Sequence, residues 1–160
     1  MVDKIPLVII FISAGCGIGF AVYTYYKRRR EYFYELNIFI GTYLSSVTYS
    51  KNTVIKVIQD FETPSKLLAR HLSEFIKTKK KNMPTALAIS YLKKNEIAYV
   101  KSLLEILGAS DAATQRSSIG GKREELLKYL STADEKLKKN GNSSVKLGLL
   151  GGLLISVICL

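Results

Sequence analysis

The chain has 160 residues, 48% of them hydrophobic, with a mean hydropathy of +0.12 and a formal charge of +11. One His and two Cys (Cys16 and Cys159, each inside an apolar stretch) exclude a zinc cluster, a redox pair and a disulfide framework. The apolar residues gather in 5–26 and 147–160, which leaves about 120 residues between them for one modest core.

A charge-free stretch runs from Ile5 to Tyr26. As a helix it is about 33 Å long, against a hydrocarbon thickness of about 30 Å. Pro6 falls in its first turn, where a missing N–H costs little. Tyr23, Tyr25 and Tyr26 form an aromatic collar, and Lys27, Arg28, Arg29 and Arg30 follow at once. Only Lys4, offset by Asp3, stands on the other side, so the residues after 26 are expected in the cytoplasm. A cleaved signal peptide carries its charges before the apolar run, not after it. Ala14-Gly15-Cys16 hints at a lipoprotein site, but Ser13 stands where a Leu is usual and the apolar run continues past the Cys. Residues 1–26 therefore read as a transmembrane helix.

Helical spacing dominates 27–144, and strand signals are weak. Phe33, Leu36, Ile40, Tyr43 and Val47 make one apolar stripe on a helix from about Arg28 to Tyr49. Ser50-Lys51-Asn52 reads as a turn and 53–61 as a second short helix. Thr63 and Pro64 read as an N-cap and first helical residue of a third, with Leu68, Leu72, Phe75 and Ile76 inward. A fourth helix opens at Pro84 and runs to about Tyr91 or Leu92. Glu96, Val100, Leu103, Leu104 and Leu107 mark a fifth, stopped by Gly108. Ser110 caps a sixth, which carries Ile119, Leu126, Leu130 and Leu137 to about Lys139. Gly120-Gly121 inside it costs roughly 2 kcal/mol relative to Ala, which predicts a kink or break there. Asn140–Ser144 reads as a hinge. The expected fold is all-α: six short helices between two membrane segments.

Residues 145–160 form the second segment. Its charge-free part, Leu147–Leu160, is about 21 Å long as a helix, short of a full span. It crosses with Lys146 snorkelling, dips in without crossing, or packs against the first helix. Gly148 and Gly152, four apart, either make a close-approach face or reflect the tolerance of glycine in lipid-embedded helices. Lys139 and Lys146 repeat the positive flank of Lys27–Arg30, and such charges attract anionic lipid.

No catalytic constellation is visible, so a non-enzyme is expected. His71 lies beside Arg70 without a second candidate acid or base and reads as a structural or surface His. Gly120-Gly121-Lys122 lacks the length and context of a phosphate loop. Catalytic, cofactor and metal residues are all expected to be none. The run Lys77–Lys81 reads either as a solvated loop or as a contact for an acidic protein through Lys79, Lys80 and Lys81. No aromatics interleave with it, which argues against nucleic acid.

Leu107-Gly108-Ala109-Ser110-Asp111, then Gln115 and Ile119, and finally Lys146-Leu147-Gly148-Leu149-Leu150-Gly151-Gly152-Leu153-Leu154, resemble the stage III sporulation protein AB family. The order of parts matches as well. The family's acidic residue before a Tyr, and its following Thr-Pro-Leu, are replaced here by Ser46-Val47-Thr48-Tyr49 and Asn52-Thr53-Val54. The resemblance implies a non-catalytic platform in the channel-like complex joining mother cell and forespore, in the mother-cell or outer forespore membrane. It implies a cytoplasmic domain similar to those of secretion and pilus platform proteins. The partners it implies are a sporulation ATPase, other membrane proteins of the complex and further copies of the chain. It also singles out Gly108, Ser110, Asp111, Gln115, Gly148, Gly151 and Gly152.

Overall fold

The computed structural model describes residues 5–49, 54–64, 66–80, 91–107 and 112–159. Among them there are helices and no strands. In chain order these are α1 (Ile5–Tyr49), α2 (Val54–Asp60), α3 (Lys66–Lys80), α4 (Lys94–Ile106), α5 (Ala112–Lys136), a π-helical turn (Leu137–Gly141) and α6 (Asn142–Cys159). The helix expected from Pro84 lies outside the described residues, as do Gly108, Ser110 and Asp111. Contacts divide the chain into two compact units, one of Met1–Arg30 with Thr132–Leu160 and one of Glu31–Ser131. Both units draw on α1, which runs 45 residues and joins the expected membrane helix to the helix expected from about Arg28.

In the Glu31–Ser131 unit the core is made of large side chains. Phe33, Leu36, Ile40 and Tyr43 are buried as their spacing predicts, and Tyr32 and Phe39 join them to widen the stripe. Leu68, Leu72 and Phe75 bury one face of α3, while Val100, Leu103, Leu104 and Leu107 bury one face of α4 and its end. From α5, Ile119 and Leu126 enter the core; Leu130 stays half-exposed. Aromatic rings tie three helices together. Phe33 stacks on Tyr129 with centroids 5.6 Å apart, and Tyr129 meets Tyr99 at 4.9 Å. Glu96 starts α4 by accepting the Lys93 N–H at 2.9 Å, one half of a capping box.

Two sequence expectations fail here for the same reason. The helix continues unbroken through Gly120-Gly121, and a Cβ at either position would meet nothing within 4 Å. Residues 140–144 are not a hinge: the π-helical turn carries the chain straight into α6. Once a helix is held by packing on both sides of a weak spot, tertiary contacts outweigh a propensity cost of about 1 kcal/mol per glycine.

Candidate functional site

The unit of Met1–Arg30 with Thr132–Leu160 concentrates the residues that the sequence singled out. Its two apolar stretches form an antiparallel pair in which backbone touches backbone. A Cβ on Gly15 would lie 3.0 Å from Gly152 Cα and overlap the Gly148 carbonyl; one on Gly148 would lie 3.1 Å from Gly19 Cα. One on Gly152 would lie 2.9 Å from Ile12 Cα, and one on Gly19 would lie 3.1 Å from Val145 Cα. At the far end Ser156 Oγ donates to the Gly152 carbonyl at 2.7 Å and stands 3.4 Å from the Val8 carbonyl. As numbers rise along α6 they fall along α1, so the register is antiparallel throughout.

The second segment packs against the first helix, as one of its readings expected. Gly148 and Gly152 belong to its contact face. Gly151 does not: a Cβ there would meet nothing within 4 Å, and Gly17 is equally open. The sequence reading missed the mates. Gly15 and Gly19 have the same four-residue spacing as Gly148 and Gly152, and that spacing was the available signal. Outward from this seam Ile5, Ile9, Ile10, Ile18, Phe20, Leu150, Leu154, Val157 and Ile158 are exposed. Two helices are long and apolar enough to cross a membrane, one within Ile5–Ser46 and the other within Thr114–Ile158.

Next to the seam lies a collar in which the expected cations separate into different roles. Arg29 is buried, at 2% exposure, so Lys27–Arg30 is not a uniformly solvated flank. Arg30 Nε donates to Asp134 Oδ1 at 3.0 Å, and Lys138 approaches the other oxygen at 3.6 Å. The hydrogen-bonded Arg30 guanidinium holds the Asp134 carboxyl below its ordinary range. Gly141 is buried and would bring a Cβ to 3.5 Å from the Tyr23 ring, while Asn140 donates to Tyr26 Oη at 3.4 Å. Lys27, Arg28, Lys139 and Lys146 are exposed.

In the Glu31–Ser131 unit the polar residues are matched internally. Gln115 is buried and accepts the Tyr43 hydroxyl at 2.6 Å. Glu35 accepts the Thr63 hydroxyl at 2.6 Å. His71 is buried with Nδ1 3.3 Å from Tyr32 Oη, and burial pushes its imidazole below the ordinary value against the opposing pull of Glu74. Tyr99 donates to the Lys122 carbonyl at 2.6 Å, and Lys122 Nζ reaches Ser102 Oγ at 2.8 Å. Lys79 donates to the Leu107 carbonyl and sits 5.5 Å from the Phe75 ring; burial lowers its ammonium from the ordinary value. The side chain of Lys80, and all of Lys81, lie outside the described residues. Among the described residues no three His, Cys, Asp or Glu groups gather as a metal site, and no buried side-chain N or O lacks a partner.

The fold thus defines a helical protein whose two apolar segments close on each other through glycines. The family of stage III sporulation protein AB matches residues 4–160, nearly the whole chain, and the protein belongs to that family. No curated protein and no solved structure matches the chain.

Proposed function

We propose that this protein is a non-catalytic platform subunit of the sporulation channel complex between mother cell and forespore. The glycine-packed hairpin anchors it in the mother-cell or outer forespore membrane, with residues 31–131 on the cytoplasmic side. There it links a cytoplasmic ATPase to the other membrane proteins of the assembly and to copies of itself. The observation that carries this reading is the pairing of α1 with α6. A pair whose contact face is glycine and whose outer face is Ile, Leu, Phe and Val is what lipid selects for. The cytoplasmic side follows from the positive flank at Lys27, Arg28, Lys139 and Lys146. The non-catalytic role is supported by the way His71, Glu35 and Gln115 are used in holding helices together.

The test is co-purification of the full chain, in detergent, with the sporulation ATPase. The ATPase is retained by the wild type and lost from Lys80→Glu/Lys81→Glu. Lys79 is left intact because its ammonium holds the end of α4 through the Leu107 carbonyl. Recovery of neither the ATPase nor any membrane component of the complex refutes the platform reading. That result, together with salt-sensitive retention on anionic vesicles, favours a lipid-proximal structural protein without an ATPase partner.

A further inference from the structure

The two sides of the hairpin change from apolar to polar at different heights. Val145 packs against Gly19, and Gly148 against both Gly15 and Gly19. Lys146 therefore lies at about the level of Ile18. From Ile18 to Tyr26, α1 remains charge-free for two more turns, about 12 Å, and Phe20 and Val22 on that stretch are exposed. Over the same height the opposing helix reads Lys146, Val145, Ser144, Ser143 and Asn142, followed by Gly141, Asn140 and Lys139. A flat hydrocarbon boundary cannot serve both sides at once. Drawn at Tyr26 it submerges Lys146, and drawn at Lys146 it leaves Phe20 and Val22 in the headgroups.

The contact face of α6 is set by Val145, Gly148 and Gly152, so its opposite face carries Ser143, Lys146 and then Leu150. Ser143 and Lys146 are exposed, and so is Lys139, four residues before Ser143. Among the described residues of the unit no carboxylate stands near Lys146 in the chain, and Glu135 stands four residues before Lys139. No acidic residue occurs from Lys4 to Arg30 or from Lys136 to Leu160. The described carboxylates of the unit are Asp134 and Glu135, and Asp134 is taken by Arg30 and Lys138. Lys146 is thus an exposed cation with no acidic residue within ten positions of it.

We propose that the outer face of α6 at Lys146, Ser143 and Lys139 binds the phosphate of an anionic phospholipid drawn below the general headgroup level. Lys146 supplies the charge and Ser143 a hydroxyl donor. The displaced headgroup carries the membrane boundary down on the α6 side while α1 stays in hydrocarbon. The proposal rests on the membrane-anchor reading of the hairpin, which is tested separately by a carbonate wash of membranes holding the full chain. Release of the protein by that wash refutes the anchor itself.

The test of the site is native mass spectrometry of the full chain. It is extracted from vesicles of equal parts phosphatidylglycerol and phosphatidylcholine. Wild type retains phosphatidylglycerol over phosphatidylcholine. Lys146→Leu lowers that preference about fivefold, the loss expected for one lysine at a lipid surface. Lys128→Leu, in the other unit, leaves it unchanged. Inorganic phosphate added to the extracted wild type does not displace the lipid. Equal preference in wild type and Lys146→Leu, with the protein still resisting the carbonate wash, overturns the site. Displacement by inorganic phosphate overturns its assignment to lipid.

Discussion

Helices meet through glycine Cα atoms and carbonyl oxygens in the unit of Met1–Arg30 with Thr132–Leu160, and through Phe, Tyr and Leu side chains in the unit of Glu31–Ser131. In the first, the bulky residues point outward and the small ones inward; in the second the order is reversed. The solvent explains the difference. In water, burying a large apolar side chain is the main source of stability. In hydrocarbon there is no such gain, because lipid tails are as apolar as Leu, and close backbone approach through small residues supplies the attraction instead. One helix, α1, obeys both rules along its length, with Gly15 and Gly19 in one unit and Phe33, Leu36 and Ile40 in the other.

The contrast breaks most visibly through truncation. Phe33→Ala removes a fully buried ring that stacks on Tyr129, and should cost about 3–5 kcal/mol in chemical denaturation. Leu153→Ala, on the exposed face of α6, should shift the same transition far less. Comparable losses at both positions refute the division of solvents. A second perturbation reverses the sizes: Gly15→Val places a side chain onto the backbone of Gly148 and Gly152. A disulfide between Val8→Cys and Ser156→Cys should then form much more slowly than in the Gly15 background, while Gly17→Val leaves it unaffected. An unchanged rate with Gly15→Val means that the seam does not hold the pair together.

The smallest effect sharpens the account of the helical unit. His71 is buried with its imidazole favoured in the neutral form, so its folded pKa lies below the unfolded value of about 6.5. Between those two values the unfolded chain binds more protons, and stability rises with pH. Melting temperature should therefore fall as the pH is lowered from neutral through this window, and His71→Asn should flatten that slope. Equal slopes in the two proteins would place the pH dependence elsewhere.

Much of this was legible in the sequence because it depends on periodicity and composition alone. The all-helical class, the two apolar stretches, the positive flank and the inward stripe of Phe33, Leu36, Ile40 and Tyr43 all follow from residue spacing. The family was legible from the Gly and Leu pattern at 146–154 and from Gln115. Gln115 itself shows the limit. Its position was marked by resemblance, but its role in accepting the Tyr43 hydroxyl joins residues far apart in sequence.

Local propensity misled at Gly120-Gly121 and at Asn140–Ser144, where flanking contacts keep the chain helical. Residue type alone also could not separate Gly148 from Gly151, or Arg29 from Arg28. In each pair the chemistry is similar, and only the direction in which the side chain or Cα faces distinguishes them. What the sequence settled by itself was which stretches are greasy, which are helical and where the cations lie, since each is a property of neighbours along the chain. What the tertiary structure alone decided was the antiparallel register that sets Gly15 against Gly148 and Lys146 level with Ile18, because that depends on how closely two distant backbones approach.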